Sequence, residues 1–541
     1  MAADGIVLVG LSCTGKSTVG RALGARLGRP VVNLDDLITE TAGSTPATLI
    51  RERGEPAFRV LEGEAIARAT EDHGVIIATG GGAVIDPLNR WALWQAGTVI
   101  WLDAPDDVLL ARLAADPEDR PLLADDPVRR LAELRHTRFP YYRAADIRVD
   151  AASPVETVVD SICASMGRPP ERSRRLYDGE LRRHHSMGPA LARIVFGLGF
   201  DARTIDDIIG PTSSGEPVVV ADRRAAKAQP ALMAALPSER SIGVTGGERR
   251  KRLRYLERLL ETASAFGAER GDAWLAVGGG TVTDLVGTAA ALYLRGVNFV
   301  AVPTTWLGMT DGAVGGKVAV DLSHAKNAAG AFWPPSAVIG DVTTLDSLPR
   351  ARRLDGMAES LKSGIIADPV LWHLIETRGS SALLDDEAAR YAIIDRSVQL
   401  KLGVVDRDPM EQGERRKLNL GHTIGHALEV ESGYRLPHGQ AVVLGLRAVT
   451  AIARGRGAEP RLAQRIDDVV HGLGYRLERR FDPEAVKAAL RSDKKRHRGR
   501  QRWILPMDVG QVMEVDDVTE MELQRGLAVI STDAPLAAAA A

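Results

Sequence analysis

The chain has 541 residues, 45% of them hydrophobic, enough for roughly three to four domain-sized units with full cores. Its 69 Lys and Arg balance 71 Asp and Glu, and the net charge of −2 gives no global reason to expect a nucleic-acid partner. Two cysteines, Cys13 and Cys163, exclude a disulfide framework. No apolar run reaches the ~18 residues of a membrane span, and the first residues enter a strand with no leader-like pattern. A cytoplasmic protein without a membrane partner is therefore expected.

In chain order, GIVLVG, VVNL, GVIIATGGG, GTVIWLDAP and ADIRVD read as strands. Helical stretches lie between most of them, starting at Lys16, and the unit closes with PVETVVDSICASM. That alternation predicts a parallel sheet covered on both faces, over 1–166. GRPPERSRR is charged and aperiodic, which predicts a linker over 167–185. No clear pattern follows until about 210. EPVVVAD, SIGVTGG, AWLAVGGG, VNFVAVPTT and SAVIGD then predict a second α/β unit, 186–344. From about Leu345 the strands give way to long helices such as LDGMAESLKSGII, predicting a helical domain over 345–530. PLAAAAA ends a tail, 531–541, read as disordered. There is no internal repeat.

GLSCTGKST follows the first strand. Gly10, Gly15, Lys16 and Ser17 have the spacing of a P-loop. The glycines let backbone N–H groups point at phosphate oxygens, Lys16 adds charge, and Ser17 offers a hydroxyl to Mg²⁺. The helix that follows turns its positive N-terminus to the same anion. Gly15, Lys16, Ser17 and Thr18 are the expected ATP contacts. Cys13 reads as a small residue that fits the loop.

A P-loop does not name its acceptor. Asp35, Arg59, the glycines at 80–82, Arg120 and Arg138 narrow it, although each alone is more often a surface charge. Paired arginines suit a carboxylate, and Asp35 suits hydroxyls, one of which it could help deprotonate. With GLSCTGKSTVGR, GEPAFR, ATGGG, RPLL and R..PYY, residues 5 to 165 resemble shikimate kinase. The resemblance implies that Asp35, Arg59, Gly81, Gly82 and Arg138 hold shikimate, that Arg120 reaches the phosphates from a lid, and that Arg112 lies near the adenine. Catalysis would be positioning and charge neutralisation by Asp35 and Lys16 around Mg²⁺. One departure stands out. The family usually opens its acidic turn with Asp, whereas NLDD puts Asn33 there. Reduced metal affinity or rate is expected, unless Asp36 compensates.

In the second half, AWLAVGGGTVTDLVG reads as strand, glycine turn and helix, where a diphosphate could approach a helix N-terminus. His422 and His426 in NLGHTIGHALE are four apart and share a helix face. They are either two metal ligands or two core histidines. Glu359 in GMAESLK and His438 in LPHGQAV add donors. Two imidazoles and one carboxylate with open positions would make a catalytic zinc site.

GGGTVTDLVGTAAALYLRG, VPTTWLGMTDGAVGGKVAV, AKNAAGAFWPP, GMAESLKSGII, EQGERRKLNLGHTIGHALE and PHGQAV make residues 215 to 510 resemble 3-dehydroquinate synthase. The resemblance implies an α/β NAD-binding domain joined to a helical metal-binding domain. It implies Glu359, His422 and His438 as ligands of Zn²⁺ (Co²⁺ being an alternative), with His426 binding substrate and moving protons. Gly279, Gly280, Thr281, Asp284, Thr304 and Thr305 would contact NAD, Glu248 and Lys251 would hold its ribose and adenine end, and Asp311 would lie near the nicotinamide. Lys317 and Lys326 would serve both cofactor and substrate. Asn327, Arg295, Lys362, Lys401, Glu411, Arg415 and Asn419 would complete the substrate pocket. The implied reaction oxidises one hydroxyl of 3-deoxy-D-arabino-heptulosonate 7-phosphate, eliminates phosphate, returns the hydride and closes the ring, so NAD is not consumed. Gln440 stands where the family usually has Glu, which predicts a weakened contact behind His438.

The basic run SDKKRHRGRQRW reads as a solvated loop, with Lys494 or Lys495 expected on the substrate phosphate. A bifunctional shikimate-pathway enzyme is the leading reading, dimeric through its synthase half. The rival is a related sugar-phosphate cyclase or polyol dehydrogenase fused to an inactive or different kinase module. The two inferred steps are not consecutive, so no channel between them is expected.

Overall fold

All five residues of Gly5–Val9 are buried. A central parallel strand needs apolar side chains on both faces, and the helices Lys16–Leu27 and Pro87–Ala96 pack against it. The computed structural model describes residues 4–115, 120–166, 174–183, 191–237, 239–322, 325–492, 496–497 and 500–532. The chain forms two compact units, one holding residues up to 180 with 193–204, the other holding 181–192 and everything from 205 onward.

In the first unit five parallel strands run in the order Val31–Asn33, Ile76–Ala78, Gly5–Val9, Gly97–Asp103, Ile147–Asp150. The five strands expected from the sequence are all present. The loops that follow Val9, Asn33 and Ala78 leave neighbouring strands at the same edge, where ligands gather in such sheets.

The expected linker needs correcting. Within 167–185, Arg174–Arg182 is a strand, while residues 167–173 lie outside the described residues. Asp178 of this strand is fully buried and paired with Arg143 (2.6 Å), Arg193 (2.8 Å) and Arg175 (3.5 Å). Charges that neutralise one another inside the fold look, in sequence, like charges meant for water. A second strand, Leu191–Leu198, fills part of the stretch with no readable pattern.

In the second unit, Ala337–Asp341, Phe299–Pro303, Trp274–Gly278, Val218–Asp222 and Arg240–Val244 pair in that order, all parallel. An antiparallel hairpin, Lys317–Leu322 with Ala325–Phe332, follows the fourth of these in chain order. Long helices then dominate: Arg350–Ala367, Glu387–Arg407, His422–Glu431 and His438–Arg454. Strands do not stop at Leu345, however, since Trp503–Asp508 and Gln511–Val515 form a hairpin. Of the expected tail, Ser531 and Thr532 are described: Ser531 lies opposite Arg479 in a short bridge, and Thr532 N–H donates to the Arg479 carbonyl (3.3 Å). Among the described residues no helix is long and apolar enough to cross a membrane.

Candidate active sites

In the first unit the P-loop has the backbone its spacing predicts. Gly15 takes φ 86°, a left-handed value that glycine adopts without strain, and caps the helix Lys16–Leu27. Lys16 is buried, and its Nζ donates to the carbonyls of Gly10 (2.9 Å) and Leu11 (2.7 Å). Burial lowers Lys16 to about 8, with Asp35 pulling the other way and Arg120 and Arg138 adding to the drop. So Asp35, Arg120 and Arg138 all lie within the field of the phosphate-binding lysine. Arg112 donates to the carbonyls of Cys13 (3.3 Å) and Ala151 (2.8 Å), which sets it beside the loop. Thr18 is exposed on the first helical turn.

Asn33 caps the helix Leu34–Ala42, accepting from the Asp35 N–H (3.2 Å), and its amide donates to Ser17 Oγ (3.3 Å). It therefore touches the hydroxyl expected on Mg²⁺. Asp36 is exposed.

The acceptor side is built against glycines. The chain breaks at Gly54 (φ 80°), and the helical segment after Pro56 carries Arg59. A Cβ at Gly82 would sit 2.2 Å from the Arg59 guanidinium, and one at Gly81 would sit 3.0 Å from that of Arg138. Only glycine lets two cations approach the loop this closely. Arg138 is 3% exposed and its Nε has no hydrogen-bond partner, as expected of a group built to meet an anion. Glu62, which the sequence reading missed, is 1% exposed and ion-paired to Arg59 at 2.6 Å. Burial raises its pKa, against the pull of Arg59. Its three-residue offset from Arg59 on a helix was the available signal.

In the second unit the strand Trp274–Gly278 runs into the helix Gly280–Leu292. Gly279 packs against Thr305, Thr304 N–H donates to the Gly278 carbonyl (2.9 Å), and Gly247 N–H donates to Thr281 Oγ1 (3.0 Å). A Cβ at Gly280 would meet only the Gly312 Cα, at 3.9 Å, so this helix start is open enough for a diphosphate. Lys251 bridges Asp284 and Asn327. Burial pushes Asp284 up to about 6, although Lys251 pulls the other way.

Four of the expected cations of the pocket, all lysines, stand against acids. Lys317 pairs with Glu411, Lys401 with Asp311 and Lys362 with Glu359. Lys326 lies between Glu248 (3.0 Å) and Glu429 (3.4 Å). Asn419 donates to Glu411 Oε1 (2.9 Å), and Arg415 donates to the carbonyls of Pro409 and Gly315. Asn327 (φ 49°) and Glu411 (φ 57°) hold left-handed backbones that cost roughly 1–3 kcal/mol each. Arg295 is exposed and joins none of these bonds; Lys494 and Lys495 lie outside the described residues.

Glu359, His422 and His438 place one donor atom each within 4.8 Å of one another. Glu359 Oε1 is 3.3 Å from His422 Nε2 and 3.2 Å from His438 Nε2. Its other oxygen faces Lys362. His422 Nδ1 lies 3.1 Å from the Leu420 carbonyl, which as acceptor leaves Nε2 with its lone pair toward Glu359. Two imidazoles and a carboxylate converging in this way fit a zinc-type cation. Burial disfavours a charged His438, but hydrogen bonds to Glu359 and Glu429 outweigh it and raise the group to about 10. Of the pair His422 and His426, then, only His422 joins this set; the His426 ring packs edge-on against it at 5.2 Å. His426 does form a second donor group with Glu429 and His438. Gln440 is not behind His438. It exchanges two hydrogen bonds with the Arg476 backbone (2.8 and 3.0 Å), and the carboxylate behind His438 is Glu429.

Residues 12–166 match the shikimate kinase family model. Residues 241–355 match that of the 3-dehydroquinate synthase N-terminal domain, and 356–496 that of its C-terminal domain. The chain is 39% identical over 321 residues to a 3-dehydroquinate synthase of Xylella fastidiosa (strain 9a5c), an alignment covering 57% of this chain and 81% of that one. Similar solved structures include the 2-epi-5-epi-valiolone synthase ValA from Streptomyces hygroscopicus subsp. jinggangensis 5008, with NAD⁺ and Zn²⁺ bound. It is 27% identical with a TM-score of 0.58, over 64% of this chain and 98% of that one. A 2-deoxy-scyllo-inosose synthase complexed with carbaglucose-6-phosphate, NAD⁺ and Co²⁺ is 25% identical with a TM-score of 0.55, over 62% and 94%. The paired glycines and arginines of the first unit and the three converging donors of the second thus fall inside matched domains, and the chain belongs to the 3-dehydroquinate synthase family, with a shikimate kinase domain ahead of it in one bifunctional shikimate-pathway enzyme.

Proposed function

We propose that both sites are competent and that the residues grouped above carry the two reactions. The observation that carries the synthase reading is the convergence of Glu359, His422 and His438. These three residues would hold Zn²⁺, or Co²⁺, which when bound stabilises negative charge on a substrate oxygen. Gly279, Gly280, Thr281, Thr304 and Thr305 would hold NAD, which when bound takes up and returns one hydride. Lys317, Lys326, Lys362 and Lys401 would bind the phosphate and carboxylate of 3-deoxy-D-arabino-heptulosonate 7-phosphate by exchanging their internal acids for the substrate's, and Arg415 would join them by exchanging backbone carbonyls. His426, beside the donor set, would move the proton. The similar solved structures, a 2-epi-5-epi-valiolone synthase and a 2-deoxy-scyllo-inosose synthase, are only 25–27% identical, whereas the relative at 39% is a 3-dehydroquinate synthase, which favours that substrate over the rival cyclases.

In the kinase domain Arg59 and Arg138 would grip the shikimate carboxylate across Gly81 and Gly82, and Asp35 would orient the attacking hydroxyl. Lys16 would neutralise the transferred phosphoryl group of ATP, with Ser17 on Mg²⁺. Asn33 supplies no charge but keeps the Ser17 hydroxyl in place, so the kinase is slowed rather than silenced. A homodimer through the synthase half, in the cytoplasm, is consistent with the family resemblance and with two cysteines that form no disulfide.

The test is ADP formation from Mg·ATP with and without shikimate, in parallel with phosphate release from 3-deoxy-D-arabino-heptulosonate 7-phosphate in the presence of NAD⁺. Both are expected on one purified chain. ADP formation indifferent to shikimate would remove the acceptor assignment.

A further inference from the structure

Glu429 has no role in the reading above, yet it is among the most enclosed acids of the second unit, 3% exposed. It lies on the helix His422–Glu431, seven residues after His422 and three after His426, on the face that carries both histidines. Its two oxygens divide between two elements of the site. Oε1 is 3.1 Å from His438 Nδ1, at the start of the next helix, and Oε2 is 3.4 Å from Lys326 Nζ, on the hairpin. A buried carboxylate is costly unless its lone pairs are used, and here both oxygens are.

The imidazole of His438 has two nitrogens, and only one can face a cation. Nε2 points to Glu359 Oε1, the atom that also faces His422. We propose that Glu429 is a positioning residue: by accepting from His438 Nδ1–H it fixes the ring's tautomer and rotation, so that Nε2 presents its lone pair to the metal. A carboxylate behind a ligating imidazole also raises that imidazole's donor strength. Because the same carboxylate anchors Lys326, the donor set and the substrate hairpin share one support. The inference rests on the assignment of the metal to Glu359, His422 and His438.

The chemistry offers one competitor. His426, Glu429 and His438 also have donors within 4.8 Å of one another, and Glu429 could itself be a ligand there. The two roles separate by substitution. Zn²⁺ affinity is measured on the full-length protein by competition with a chromophoric chelator, and the visible spectrum is recorded with Co²⁺ in its place. Glu429→Gln is expected to weaken Zn²⁺ binding roughly 10–100-fold and to alter the Co²⁺ spectrum, since an amide can donate to Nδ1 and hold the wrong tautomer. His426→Ala is expected to leave Zn²⁺ affinity near wild type. Glu431→Gln, on the same helix as Glu429, breaks an ion pair with Arg479 (2.8 Å); it controls for general loosening and is expected to change neither readout. Should Glu429→Gln not fold, Glu429→Asp keeps the charge but shortens its reach to His438 and carries the same test.

Wild-type affinity and spectrum in Glu429→Gln would overturn the positioning role. Equal losses in Glu429→Gln and His426→Ala would overturn it in favour of direct ligation. A wild-type protein that binds no stoichiometric Zn²⁺ would remove the metal assignment itself, and the inference with it.

Discussion

The two active sites solve anion binding differently. The kinase site is mostly backbone, with glycine N–H groups, a helix N-terminus and two arginines that reach in because Gly81 and Gly82 have no side chains. Its key lysine donates to the carbonyls of Gly10 and Leu11. The synthase site is mostly side chains, four of its lysines standing against acids drawn from distant segments, such as Lys317 with Glu411 and Lys401 with Asp311. A backbone cradle is specified by a few adjacent residues. A side-chain lattice depends on the whole second unit bringing its partners together.

The sharpest way to break this contrast is a reciprocal knockout. Lys16→Ala is expected to cost the kinase roughly 10³-fold or more in kcat, leaving phosphate release by the synthase unchanged. His438→Ala is expected to remove Zn²⁺ and at least roughly 100-fold of synthase turnover, leaving the kinase intact. Crossed effects would show that the sites depend on one another.

Arg138→Lys tests the glycine platform. It keeps the charge but loses the planar fork, and is expected to raise KM for shikimate roughly 10-fold or more, about the worth of one charge-assisted hydrogen bond, with a smaller change in KM for ATP. A pH series tests the dry cradle. Lys16 is charged below its lowered pKa of about 8 and loses its proton as pH rises through that value. ATP affinity of the free enzyme should therefore weaken from pH 8 upward, more than two units before an ordinary lysine would respond. Flat ATP binding up to pH 10 would mean that the loop opens to water.

The smallest effect is expected at Gln440. Because it faces the Arg476 backbone and not the metal, Gln440→Glu should leave Zn²⁺ affinity unchanged. It should lower stability by about 1 kcal/mol through one lost donor, read as a small fall in Tm.

What the sequence discloses follows the same division. The P-loop and the glycine turns are local in sequence, whereas the set Glu359, His422 and His438, implied by the family resemblance, is spread along the chain and has its donor atoms within 4.8 Å of one another. Gln440 departs from its expected place because residues two apart on the helix His438–Arg454 point to different faces. Glu62 and Glu429 were missed because an acid on a helix ordinarily faces water, and burial beside an arginine or a histidine leaves no mark in periodicity. The charges of Arg174–Arg182 read as linker for the same reason. Asp178, a charged residue in a buried position, is held by arginines, so its strand lacks the alternation that announces a half-buried sheet. The hairpin at 503–515 was masked by its short length and the basic run before it.

The paired lysines have a kinetic consequence. Each of Lys251, Lys317, Lys326, Lys362 and Lys401 already faces at least one carboxylate, so at a distance their fields largely cancel. Substrate is then not drawn in by long-range attraction, which requires unbalanced charge over a cleft. Its anionic groups are recognised only on arrival, by exchange of partners at contact range. Encounter with the synthase should therefore respond weakly to added salt, and kcat/KM there should stay nearly level across ionic strengths that shorten the Debye length from about 30 Å to about 8 Å.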